Sequence, residues 1–314
     1  MGIMLAGLVI ILALVPILVK SVYILHVAIL VYIYVIATSS LRTIALSGQL
    51  SLGHAGFMSI GAYTSAILAM QLSWTPWITI PLGALAAGLV AVIVGFPFSR
   101  LRTFYFSMVS LFFGMGILAV NTVFSTYTGG YYGLAGIPPL FLGLSKVPFY
   151  FFFLGLAVVS LFILNRFEHC RIGMSIKAVA QSYEVAASVG INVAGYRVLA
   201  LAAGCFITGL AGAGYAHYNQ VLSQNTFDVV ASVYLVIYMI VGGITSFAGP
   251  IIGAVVLTII PELFRGLKMW TPYVFATIVI LVIFFFPEGL TGIYEQGKAW
   301  CKQKVTKNRS EKES

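Results

Sequence analysis

The sequence predicts an all-α, polytopic membrane bundle of about ten transmembrane helices with both termini in the cytoplasm. Three observations predict it. Of 314 residues, 61% are hydrophobic and only 8% charged, about a third of the charge of a soluble domain, where roughly 25% is usual. Apolar runs approaching the about 20 residues needed to cross about 30 Å of hydrocarbon recur along the chain. The 17 Lys and Arg residues fall between those runs.

Taken in order, the first run covers about residues 3–19 and has neither a basic residue ahead of it nor a small-x-small cleavage site before Lys20. It reads as a retained helix, not a signal peptide. The second run, 21–41, ends at Arg42. A Gly- and Ser-rich stretch leads into the third, 54–72, and its glycines allow it to lie at membrane depth. The fourth and fifth, 77–98 and 103–124, flank Arg100 and Arg102. The sixth, 147–165, precedes the longest polar connection, and the seventh and eighth follow at 197–217 and 229–247. The ninth, 250–264, is short enough to be tilted or re-entrant, and the tenth is 272–288. Together they make a membrane domain over 1–297, followed by a basic tail over 298–314.

Orientation follows from the excess of Lys and Arg in cytoplasmic loops. With the N-terminus inside, the inner segments hold 13 of them: Arg42, Arg100, Arg102, Arg166, Arg171, Lys177, Arg197, Lys298, Lys302, Lys304, Lys307, Arg309 and Lys312. The outside keeps 4: Lys20, Lys146, Arg265 and Lys268. The net charge of +9 is therefore mainly a topology signal, and the tail is an anchoring, solvated end with no nucleic-acid role.

Within the inner connection Arg166–Arg197, apolar Ile172, Ile176, Val179, Ala180, Tyr183, Ala186, Ala187 and Gly190 recur at three- and four-residue steps. That spacing predicts one amphipathic helix. Two readings of its stripe remain, a helix lying in the membrane interface or one docking into a protein groove. Small Ala and Gly residues bury little area in lipid and suit the groove better.

The lead-in to the third run reads Ser47-Gly48-Gln49-Leu50-Ser51-Leu52-Gly53-His54-Ala55-Gly56, and a second Gly-rich turn runs from Gly242 and Gly243 to Gly249, with Gly253 completing a GxxxG. Helix packing is the plainer reading and substrate contact the alternative. His54 has no second histidine within a helical turn and reads as a hydrogen-bonded structural residue. Within the runs carboxylates are few, with Glu262, Glu288 and Asp228 all near the ends. A proton- or sodium-coupled carrier needs such a group near the midplane. The string Gly292 to Lys298 has the phosphate-loop spacing, yet Ala299 replaces the magnesium-binding hydroxyl and no strand precedes it. Cys170, Cys205 and Cys301 are odd in number and far apart, so neither disulfides nor a metal site is expected. No acid–base, nucleophile or metal constellation suggests an enzyme, and no cofactor is expected.

Several strings together resemble the membrane subunit of bacterial branched-chain amino acid ABC importers. They are Ser47–Leu68, Thr128-Gly129-Gly130 with the following Gly136-Ile137-Pro138, Glu184–His217, Ile240–Ala254 and Phe286–Ile293. The Thr-Gly-Gly with Gly-Ile-Pro is similar to the longer of the two permease types. The resemblance implies an ATPase-coupling contact at Gly173, Tyr183, Glu184, Ala186, Ala187 and Gly190. It also implies a pathway or packing role for Ser47, Gly48, Gln49, Ser51, Gly53, His54, Gly56, Thr128, Gly129, Gly130, Gly242, Gly243 and Gly249. The implied partners are a second permease, two ABC ATPases, an extracytoplasmic solute-binding protein, a small-molecule substrate and membrane lipid, in the bacterial inner membrane. Gln181-Ser182 stand where members more often carry charge, and Phe104-Tyr105-Phe106-Ser107-Met108 only approximates the family's Tyr-Phe-Ala run. The implied solutes are branched-chain or other apolar amino acids first, urea or short amides second. A self-contained channel or secondary carrier is the rival from another class.

Overall fold

The computed structural model describes Leu12, Pro16 and residues 21–101, 103–141, 143, 145–264, 266, 270–285 and 289–292. Outside the described residues lie the rest of the first run, Arg102, Arg265, Lys268, Glu288, Cys301, the basic tail and all but Gly292 of the phosphate-loop-like string.

Helices form at each of the other nine expected runs. They are α1 (Val22–Ala45), α2 (His54–Gln71), α3 (Pro76–Ser99), α4 (Thr103–Val123) and, after the short α5 (Ser125–Thr128), α6 (Val147–His169). Two short helices, α7 (Arg171–Gln181) and α8 (Tyr183–Ser188), precede α9 (Val193–Asn219), α10 (Val229–Gly242), α11 (Gly249–Leu263) and α12 (Thr271–Phe285). Among the described residues α1, α3, α4, α6, α9 and the stretch Gln224–Gly242 are long and apolar enough to cross a membrane. The protein is an all-α, multi-pass membrane protein. Its only described strands, β1 (Leu134–Ala135) and β2 (Val221–Leu222), form a two-rung antiparallel ladder between loops.

The chain divides into two units, 1–236 and 237–314. In the first, α9 packs along α3, α2 and α1, and α6 packs on α1. Lipid tails are as apolar as leucine, so helices in a bilayer gain by close backbone approach more than by hiding apolar surface. Small residues permit that approach: a Cβ on Gly61 would overlap the Gly209 backbone, and one on Gly209 would overlap Ala87. Helix α3 buries Ala84, Ala87 and Ala91 while Leu85, Leu89, Ile93 and Phe96 are exposed, an inside-out pattern suited to lipid. Ile44, Phe57, Phe106, Leu201 and Cys205 fill the core near one end of this unit.

In the second unit α11 packs on α12. The eighth run was expected to continue to residue 247, but α10 ends at Gly242. Gly243, at φ +108°, turns the chain there, and Gly242 lies so close to Gly249 and Gly253 that a Cβ on it would enter their backbones. Thr291 Oγ1 donates to the Gly242 carbonyl at 3.0 Å.

Candidate functional site

One end of the first unit gathers most of the residues singled out in the sequence. The lead-in Ser47–Gly53 is not helical, yet Ser47, Gln49 and Ser51 are buried. It is fastened to α4 by three hydroxyls. Thr103 Oγ1 donates to the Gly48 carbonyl at 2.7 Å, Ser107 Oγ donates to the Leu50 carbonyl at 2.7 Å, and the Leu52 amide donates to Ser110 Oγ at 3.0 Å. Positions 103, 107 and 110 share one helix face. The final residue of the lead-in, Gly53, meets the same face: a Cβ there would overlap the Ser110 carbonyl, and one on Gly56 would stand 3.0 Å from Gly114 Cα. Irregular backbone that is shielded from solvent needs such internal partners, since no regular ladder satisfies its polar groups.

His54 opens α2 fully buried, with Nε2 hydrogen-bonded to Ser40 Oγ of α1 and Thr208 Oγ1 of α9. It joins three helices through Nε2, while its buried Nδ1 has no hydrogen-bond partner. His217, near the end of α9, is the counterpart. It donates from Nδ1 to the Pro138 carbonyl at 2.7 Å, which leaves Nε2 of the neutral ring as an acceptor for Thr79 Oγ1 at 3.2 Å, while Ser65 Oγ, 2.8 Å from the same nitrogen, donates to Thr79 Oγ1 at 3.0 Å.

Between α6 and α9 the expected single amphipathic helix is two. Helix α7 stops at Ser182, which is extended (φ −157°, ψ 112°) and caps α8 by accepting from the Val185 amide. The competing signal was local, since serine favours an N-cap over a helix interior. With the break, the predicted stripe faces two ways. Ile176, Val179 and Ala186 turn into the protein, whereas Ile172, Ala180, Tyr183, Ala187 and Gly190 are exposed. Glu184, Val185 and Val189 are exposed beside them, Val185 at 63% and Val189 at 70%. Gly190 has nothing within 4 Å of the place its Cβ would take, but its φ is +83°. The Ile191 amide reaches the Ala186 carbonyl and the Gly190 amide the Ala187 carbonyl, both at 3.0 Å, so Gly190 is the left-handed residue that closes α8.

Helix α7 lies against the ends of the long helices. A Cβ on Gly173 would overlap the carbonyls of Phe167 and Glu168, and one on Gly48 would stand 3.3 Å from Ala180 Cα. Sequence reasoning missed the group at the centre of this junction. Glu168 was placed in a polar connection, but α6 runs on to His169 and buries it. Its carboxylate accepts Arg42 Nη1 at 2.6 Å and Nη2 at 3.1 Å, and Lys177 Nζ of α7 lies 2.8 Å from Oε1. The Arg42 side chain is 3% exposed, that of Glu168 7% and that of Lys177 40%. Arg197 at the start of α9 donates to the Ser99 carbonyl at 3.0 Å, tying in α3. A basic residue at the end of an apolar run was legible as a topology signal. Its acidic partner, 126 positions away, was not.

At the other end, Thr128 closes α5, and its hydroxyl donates to the carbonyls of Asn121 and Phe124. Gly129 and Gly130 follow at φ +75° and +56°, forming a turn that leaves Tyr131 and Tyr132 exposed. Among the described residues no three His, Cys, Asp or Glu side chains are grouped to hold a metal ion.

Helices dense in glycine contacts, a buried polar lead-in and an outward-facing pair of short helices describe a membrane component without a described catalytic centre. Residues 23–287 match the family described as branched-chain amino acid transport system / permease component. The chain belongs to that family. It is similar to LivM, the high-affinity branched-chain amino acid transport system permease protein of Escherichia coli (strain K12), with 29% identity over 294 residues, covering 84% of this chain and 69% of LivM. LivM of Salmonella typhimurium matches to the same extent. The nucleoside ABC transporter permease protein NupC of Lactococcus lactis subsp. cremoris is 26% identical over 205 residues, 57% of this chain and 61% of NupC. No solved structure matches the chain. These relatives are named as transport permeases, and the family match spans α1 to α12, the lead-in and the α7–α8 pair alike.

Proposed function

We propose that this permease is the longer membrane subunit of an ATP-driven importer for branched-chain or other apolar amino acids in the bacterial cytoplasmic membrane. It works with a second permease, two ABC ATPases and an extracytoplasmic solute-binding protein. The α7–α8 pair lies in the cytoplasm with both termini, ten segments make the crossings, and the ATPases dock on the outer surface of α8. The observation that supports this most is the exposure of Tyr183 and Ala187 on one flank of α8 and of Val185 and the C-capping Val189 on the other, with Glu184 and Ser188 between them and Ala186 buried on the inner side. Apolar side chains left facing water on a transport bundle suit the surface of a protein partner. The chain's described residues include no nucleotide site, so the work of transport enters from outside, and α8 is the surface that receives it.

The test is Ala187→Arg. Its side chain points into solvent, so the variant should fold as the unmodified protein does, yet a charge cannot be buried in an apolar groove without large cost. Co-purification of the ATPases should fall at least about tenfold and uptake with it. Full recovery of the ATPases with unchanged uptake would reassign α8 to the lipid interface. Similarity to NupC gives a second reading for the solute, a nucleoside. Uptake by the reconstituted complex across leucine, isoleucine, valine, urea and nucleosides decides between them.

A further inference from the structure

We propose that Lys177 and Glu168 form the clutch through which movement of the α7–α8 pair is passed to the transmembrane helices. This rests on the proposed docking of ATPases at α8 and names the residues that make that docking productive.

The geometry has two unequal halves. Arg42 and Glu168 share a two-pronged contact, 2.6 and 3.1 Å, with both side chains buried. Such a paired fork fixes distance and angle together, and it binds the end of α1 to the end of α6 as one block. Lys177 joins the same carboxylate from α7 at 2.8 Å, but it is 40% exposed and ends in a single ammonium on a flexible stem. Water competes for this half and not for the other. The Arg42–Glu168 fork is therefore the fixed member and the Lys177–Glu168 contact the one that can be made and broken.

Position adds direction. Gly173, Lys177 and Ala180 lie on one face of α7 at four- and three-residue steps. Gly173 touches the backbone at the end of α6, and Ala180 touches Gly48 in the lead-in that α4 holds. Two of these contacts are van der Waals and resist only compression. Lys177–Glu168 resists separation as well. The backbone joins α7 to α6 through Cys170 and carries a pull to that point, but α7 can still swing about this junction; packing resists a swing toward α6, and the Lys177–Glu168 pair resists a swing away from it. An importer must return its permease to the starting conformation in each cycle, so it needs both senses of force. Ion-pair clutches suit this better than apolar packing, since the attraction is recovered whenever the charges meet again.

The experiment uses the complete importer in proteoliposomes, comparing Lys177→Met and Lys177→Arg. Lys177→Met keeps the stem and the Arg42–Glu168 fork but removes the charge. We expect ATPase subunits to co-purify in full and thermal unfolding to shift by less than about 2 °C. Solute moved per ATP hydrolysed should fall roughly tenfold, with hydrolysis continuing and no longer rising when loaded binding protein is added. Lys177→Arg should restore most of the ratio. An unchanged ratio in Lys177→Met overturns the clutch, as does a loss of transport that tracks a loss of folded complex. Failure of the ATPases to bind the unmodified permease would instead overturn the functional reading and the clutch with it.

Discussion

Two segments of this permease look alike as strings and are opposite as structures. Ser47–Gly56 and Ser182–Gly190 are both short, rich in Gly, Ala and Ser, and adjacent to a helix end. In the first, side chains are small because the space is already taken: the Ser110 carbonyl stands where a Cβ of Gly53 would be. In the second, space is open. Gly190 is required by a left-handed backbone at φ +83° with nothing near it, and Ala187 lies in solvent. A small residue thus has at least two distinct causes, a neighbour's backbone or its own, and only the first is evidence of tight packing. The lead-in is held by contacts within the subunit itself, whereas the exposed side of α8 adds little to the stability of the subunit alone.

Substitutions can break or sharpen that contrast. The largest effect is expected for Gly53→Leu, where even the first carbon collides with backbone that cannot move without displacing α4. Overpacking costs typically 1–3 kcal/mol and more where backbone is involved, and thermal unfolding in detergent should show a fall of many degrees or no folded protein. Unfolding at the temperature of the unmodified permease would mean that the lead-in is not fastened to α4. Next is the pair Thr103→Val with Ser107→Ala, which removes one exposed and one part-buried hydroxyl-to-carbonyl bond at up to about 1 kcal/mol each. Those losses should approximately add, because the two bonds reach different residues, and limited proteolysis should begin within 47–53. Smallest is Gly190. Replacement by Ala should cost about 1 kcal/mol through its left-handed backbone, while Asn, which tolerates that conformation, should cost less. Equal effects of Ala and Asn would point to space, not backbone, as the reason for glycine there. Both variants should leave the melting temperature within a few degrees, in contrast to Gly53→Leu.

Much of the fold was legible because lipid imposes a simple rule: α1, α3, α6 and α9 begin and end within a few residues of the apolar runs. What failed did so for local or remote reasons. The stripe from Ile172 to Gly190 kept its period through Ser182, so periodicity alone gave no sign of a break, although a serine followed two residues later by Glu184 was a visible cap. Glu168 was passed over because a carboxylate beside an apolar run looks solvated until its cation is known. Thr103, Ser107 and Ser110 were readable as a hydroxyl stripe on an otherwise apolar helix, a pattern overshadowed by the aromatic residues between them.

His217 carries one consequence beyond the packing of α9. Its ring connects α2 and α3, through Ser65 and Thr79, to the Pro138 carbonyl, and three residues away the chain zips to Leu222 and Val221 in the two-rung ladder. A loop that would otherwise drift independently is thereby slaved to the helices beneath it. In hydrogen–deuterium exchange, the amides of the ladder should open together with this end of the bundle and not on the faster clock of a surface turn, making that ladder a natural reporter of the bundle's conformational cycle.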